Sequence, residues 1–190
     1  IAALGAIAVL LIILRLIFLR SASADTGKIL SEVGDLVGKG KVDMALEACK
    51  KRKGSTSRVV SAALRNLDRD REHLEDIISE AILHESSHLN RFGSMIMVIA
   101  AVAPLLGLLG TVTGMISTFD IITEFGTGDP KLLSGGISIA LITTEVGLAV
   151  AIPALLFGNL LSGWAEGIKD DMEKAALRII NTEQSRRLAA

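Results

Sequence analysis

Residues 93–122, GSMIMVIAAVAPLLGLLGTVTGMISTFDII, and residues 135–164, GGISIALITTEVGLAVAIPALLFGNLLSGW, decide the fold. Both are apolar runs of 30 residues, longer than the roughly 20 that an α-helix needs to cross a hydrocarbon core. Neither alternates apolar with polar residues, which argues against barrel strands. Both carry small residues four apart: Ala103 and Gly107, Gly110 and Gly114, Gly136 and Ala140, Gly147 and Ala151. In lipid, where apolar area gives no drive to associate, such pairs let helix backbones approach and pack. The two runs are therefore expected to be membrane helices packed closely within and between subunits. Their length requires them to tilt or to reach beyond the lipid.

A third apolar run, IAALGAIAVLLIILRLIFL, occupies residues 1–19. It has no basic leader and no small-residue cleavage site, so it is expected to be a span rather than a signal peptide. The chain opens at Ile1, already inside that run, and the span is expected to be trimmed at its outer end, with residues preceding it. Half of the 190 residues are apolar and 22% are charged, so the two kinds must be segregated along the chain. The net charge of −1 gives no basic field for nucleic acid. A single cysteine, Cys49, excludes an internal disulfide and a cysteine-only metal site.

The charges set the expected layout. Residues 20–91 hold 13 Lys or Arg against 12 Asp or Glu, residues 123–134 hold only Lys131 as a base, and five bases follow Trp164. Basic segments stay on the cytoplasmic side. The expected protein is thus all-α: a transmembrane helix over 1–20, a cytoplasmic helical segment over 21–92, spans over 93–122 and 135–164, a periplasmic loop over 123–134, and a cytoplasmic C-terminal helix over 165–190. Three spans put the N-terminus outside and the C-terminus in the cytoplasm of a bacterial inner-membrane protein. Arg15 and Arg20 are expected to snorkel to the headgroups.

In the cytoplasmic segment, Gly38 and Gly40 punctuate the chain, and Met44, Ala45 and Ala48 are expected to share a helix face. After a break at Gly54, the apolar positions Val60, Leu64, Leu67, Leu74, Ile77, Ile78 and Ile82 recur at threes and fours, the period of an amphipathic helix. No breaker separates Ile77 from residue 93, so this helix is expected to run unbroken into the second span.

Polar groups inside the spans are the candidate site. Counted inward from Ile122 and Gly135, Thr111 and Thr144 both lie roughly 14–16 Å deep at a rise of about 1.5 Å per residue, near the middle of a core about 30 Å thick. Pro104 and Pro153 match in the same way at another level, where each would kink its helix. Thr113, Thr143 and Glu145 join the threonine level. A carboxyl at that depth must face a partner, water or another subunit, or be protonated, so Glu145 is expected on an ion or proton path.

With these residues in hand, APLLGLLGTVTGMISTF and GGISIALITTEVGLAVAIPALLFGN resemble the signature helices of the ExbB/TolQ/MotA proton-channel family, closely over residues 93–163. The resemblance implies a homo-oligomeric ring, usually of five chains, around the membrane helices of an ExbD/TolR-type partner that carries an essential aspartate. It implies that protons crossing by that aspartate drive mechanical work, passed on by a TonB-like protein in outer-membrane import; Tol-type envelope maintenance and gliding motors share these helices. Thr111 and Thr144 match the pore-lining threonines. One departure is that many relatives carry glutamate where this chain has Ile139, while its own carboxyl stands at Glu145. The resemblance implies no enzyme activity and no cofactor.

His84-Glu85-Ser86-Ser87-His88 matches H-E-x-x-H, in which two histidines on one helix face hold zinc and the glutamate is the base. An intramembrane zinc protease is the competing class. No third ligand is evident, so His84 and His88 are expected to be solvated or interfacial.

Overall fold

The computed structural model describes residues 1–23, 26–52, 54–126 and 130–189, and these residues are helical with no strand among them. In chain order the helices are α1 (Ala2–Ala22), α2 (Thr26–Gly38), α3 (Val42–Lys50), α4 (Ser55–Arg65), α5 (Arg71–Leu89), α6 (Gly93–Phe125) and α7 (Pro130–Ala189). Three of them, α1, α6 and α7, contain stretches long and apolar enough to cross a membrane. The chain divides into two units: residues 1–15 with 92–160, and residues 16–91 with 161–190.

The first unit is a three-helix packing. Ala8 and Leu11 of α1, Ile96, Ile99 and Ala100 of α6, and Ala154 of α7 form its buried cluster, with Leu4, Ile12, Phe92 and Val150 packed against it. Among these larger side chains Gly5, Ala8, Ala100 and Ala154 let the backbones approach, as close packing in lipid requires. A Cβ at Gly5 would lie 2.9 Å from a Val150 methyl. Most other apolar side chains of these helices, such as Leu105, Leu108, Leu141 and Leu156, are exposed, the outward arrangement that a membrane helix presents to lipid or to neighbouring subunits.

The second unit buries one face of each short helix. Ile29, Val33 and Val37 recur at fours along α2; Val60 and Leu64 of α4, Leu74, Ile78 and Ile82 of α5, and Met172, Ala176 and Ile179 of α7 are buried. Ile77 is half-buried. In α3 Ala45 and Cys49 are buried and Ala48 is half-buried, while Met44 is exposed, so the inward face keeps two of the three expected residues and takes Cys49 in place of Met44. Among the described residues, one ion pair ties α2 to the turn after α3 and another joins α4 to α5. Arg52 reaches Glu32 at 2.7 Å, and both Arg58 nitrogens donate to Glu85 at 2.6 Å.

Several expectations are corrected. The periodic stretch from Arg58 to Asn90 is not one helix. Asn66 caps α4, its side-chain amide donating to the Ala62 carbonyl, and the chain turns before α5 starts after Asp70. Asn and Asp compete for backbone hydrogen bonds and favour such turns. Nor does the helix run unbroken into the second span. Phe92 takes a left-handed conformation, φ 66°, between α5 and α6. The turn lets Phe92 pack on the α1/α6/α7 cluster and sets Gly93 against Arg15, where a Cβ would lie 2.5 Å from the guanidinium. Arg15 is accordingly buried, at 1% exposure, rather than turned out to the headgroups. The unbroken helix is instead α7, which joins the expected third span and C-terminal helix in one element of 60 residues. Trp164 lies inside it with no glycine or proline strong enough to stop the ladder. The loop expected over 123–134 is shorter, since α6 reaches Phe125 and α7 starts at Pro130; positions 127–129 lie outside the described residues.

Candidate functional site: the facing polar groups of α6 and α7

The α6–α7 seam is built from residues without bulk. A Cβ at Gly107 would lie 3.1 Å from the Thr143 carbonyl oxygen and the Thr144 Cα, and one at Gly147 would lie 2.8 Å from the Ala103 carbonyl oxygen. Gly114 meets Ala140, Gly110 meets the Thr143 side chain, and Gly136 meets the Thr118 hydroxyl. The order of these pairs makes the helices antiparallel: positions rise on α6 as they fall on α7. They also place Thr111, between Gly107 and Gly114, within about one turn of Thr144 along the pair. Pro153 lies opposite the turn between Met97, which meets Gly158, and Ala103, which meets Gly147. The two prolines are therefore offset by about one turn, rather than level. Each lacks the N–H that the carbonyl four residues back would accept.

The hydroxyls are held against backbone. Thr144 Oγ1 donates across the seam to the Gly107 carbonyl at 3.3 Å. Thr143 Oγ1 donates to Ala140 in its own helix at 2.7 Å, with the Gly107 carbonyl at 3.5 Å. Thr111 donates to the Leu108 carbonyl at 2.7 Å, and Thr113 to those of Leu109 and Gly110 at 3.1 Å. A hydroxyl bonded one turn back is inexpensive in lipid and still presents its oxygen lone pairs to a passing donor.

Glu145 is exposed. It follows Thr144 by one position and so points about 100° away from it around α7. Ser138, two turns earlier, shares its side and is exposed too. A second polar line escaped the sequence reading. Thr113, Ser117, Asp120 and Glu124 are all exposed on α6, and their steps of four, three and four put them on one face. That spacing was visible in the sequence as polar residues at helical period inside an apolar run.

His84 and His88 are exposed, their ring centroids 5.0 Å apart. Glu85 is not placed as their base, because its carboxylate is 6% exposed and bound in a fork by Arg58. Burial opposes its charge, but the hydrogen bonds from Arg58 and Ser55 outweigh burial and hold the carboxyl below the usual range. Among the described residues no third histidine, cysteine or carboxylate completes a metal site.

Residues 51–174 match the MotA/TolQ/ExbB proton channel family. A biopolymer transport ExbB homologue of Methanothermobacter thermautotrophicus is 33% identical over 178 residues, covering 93% of this chain and 62% of the relative. Biopolymer transport protein ExbB of Aquifex aeolicus is 45% identical over 67 residues, 35% of this chain and 45% of the relative. ExbB of Xanthomonas campestris is 34% identical over 91 residues, 48% of this chain and 36% of the relative. The chain thus spans about three fifths of the first relative and under half of the other two. With a match that covers α4, α5 and α6 whole and most of α7, the chain belongs to the MotA/TolQ/ExbB proton channel family.

Proposed function

We propose that the chain is the proton-channel subunit of an inner-membrane motor that turns proton-motive force into mechanical work, energising TonB-dependent outer-membrane import with an ExbD-like partner. The observation that carries this reading is the set of polar side chains on outward faces of apolar spans: Glu145 with Ser138 on α7, and Thr113, Ser117, Asp120 and Glu124 on α6. Carboxyls left against lipid cost several kcal/mol, about 2.5–3.5 on insertion scales, so these faces need copies of the chain, the partner's helices or water beside them. A ring of about five chains meets that need, enclosing the partner's membrane helices. Its lumen would carry Thr111, Thr143 and Thr144 near a carboxylate that loads and releases protons, where hydroxyls stabilise either protonation state in a low dielectric. The basic segments of residues 20–91 and 165–190 support a cytoplasmic placement for them, with the N-terminus periplasmic.

The reading is tested by reconstituting the chain with its co-expressed small partner in proteoliposomes and imposing a pH gradient. Proton flux that requires both proteins supports it. Flux from the chain alone, or none from the pair, counts against it.

A further inference from the structure

In the second unit, outside the seam, the polar end of α1 and the facing parts of α3 and α4 enclose a recess of about 620 Å³. Four basic side chains line it, Lys50, Arg52, Arg58 and Arg65, and no acidic one does. Three hydroxyls, of Ser21, Ser57 and Ser61, join them. On α4, Ser57, Ser61 and Arg65 stand at successive steps of four; the buried Ser57 hydroxyl already donates to the Cys49 carbonyl, so this face offers a ligand the Ser61 hydroxyl and the Arg65 charge. Glu32 pairs with Arg52 and Glu85 with Arg58, which offsets two of the four charges and leaves the recess positive. Its position is equally specific. Ser21 stands two residues beyond Leu19, where the apolar run of α1 gives way to Arg20 and Ser21. Ser21 thus lies near the end of the candidate span Ala2–Ala22, and the charge-based reading of the layout puts that end beside the headgroups of the cytoplasmic leaflet.

We propose that this recess holds the phosphodiester of an anionic phospholipid. Guanidinium forks and an ammonium are the groups that bind phosphate oxygens, serine hydroxyls add neutral donors, and a negatively charged leaflet concentrates such a ligand beside basic residues. A zwitterionic lipid offers the same phosphate, but its ammonium would meet the basic wall. Free inorganic phosphate shares the chemistry yet lacks the acyl chains that would lie along α1.

The whole chain in detergent is titrated with phosphatidylglycerol, with phosphatidylcholine and with inorganic phosphate, and bound ligand is counted by native mass spectrometry. Phosphatidylglycerol is expected to bind saturably and at least tenfold more tightly than phosphatidylcholine. Each basic side chain near an anionic headgroup is worth about fivefold in affinity, so Lys50→Glu with Arg65→Glu weakens phosphatidylglycerol binding at least tenfold while helix content and oligomer size stay unchanged. Should that pair of changes disturb folding, Lys50→Gln with Arg65→Gln is expected to give a smaller loss in the same direction. Equal binding of the two lipids, or unchanged binding in the folded variants, overturns the proposal. Displacement of phosphatidylglycerol by inorganic phosphate at the same concentration also overturns it, assigning the recess to a free anion.

Discussion

Thr144 hydrogen-bonds the Gly107 carbonyl of the facing helix at 3.3 Å, and this bond exists because residue 107 has no side chain. A Cβ there would lie 3.1 Å from the Thr144 Cα. The glycine seam thus does two things at once: it brings α6 and α7 together and it fixes the orientation of a hydroxyl inside a span. The next residue, Glu145, faces away from that seam, so the two groups serve different surfaces of one helix.

Gly147→Ala tests the seam itself. The added methyl would stand 2.8 Å from the Ala103 carbonyl oxygen, a backbone atom that cannot rotate away, so the helices must separate. Overpacking of this kind costs about 1–3 kcal/mol. Thermal unfolding in detergent should show Gly147→Ala destabilised by that amount. Gly167→Ala, where nothing lies within 4 Å, should be unchanged or slightly stabilised, since alanine favours a helix interior over glycine by up to about 1 kcal/mol.

The ion pair between α4 and α5 gives a pH dependence. Glu85 has a carboxyl held below its ordinary range. A group depressed in the folded state adds stability above its unfolded pKa, near 4.3, and that stability is lost as pH falls through the folded value. Acid below about pH 4 should therefore unfold the second unit more readily in the native chain than neutral pH does, and Glu85→Gln should reduce that difference. At neutral pH the same variant should cost about 1–2 kcal/mol, less than a fully buried pair because Arg58 is half exposed. Circular dichroism across a pH series reads both effects.

Glu145→Gln keeps the shape and removes the carboxylate. If Glu145 lies on the proton path, flux through the reconstituted complex should fall several-fold. Unchanged flux would return Glu145 to a packing role. Ile139→Glu made with Glu145→Gln asks whether a carboxyl at the position common among relatives substitutes for the displaced one. Little recovery of flux is expected, because residues six apart stand about 120° from each other around a helix.

The spans and their seam were legible in the sequence because both rest on local signals: long apolar runs, and small residues four apart. Gly107, Gly110, Gly114 and Gly147 all touch the facing helix, and counting inward from the span ends brought Thr111 and Thr144 within about a turn of each other. What was not legible depended on tertiary contacts. The break at Phe92 needs a left-handed residue that no composition signals, and it follows from packing against α1. The burial of Arg15 depends on Gly93 lying beside it, far away in sequence. The prolines proved offset because their depths had been counted from assumed loop ends, whereas α6 and α7 extend further, to Phe125 and from Pro130. The H-E-x-x-H match was legible as a weak one, and His84 and His88 are exposed as expected. Its glutamate turned out to be an ion-pair partner of Arg58, a role that sequence spacing cannot reveal.

The most direct test of the account is proton flux through the reconstituted complex carrying Thr144→Val, a near-isosteric change that deletes the hydroxyl and leaves Gly107 in place. The account predicts that the variant still co-purifies with its small partner and still unfolds at the native temperature within a few degrees, while flux falls at least tenfold. Native flux in that variant would contradict the assignment of Thr144 to the proton path.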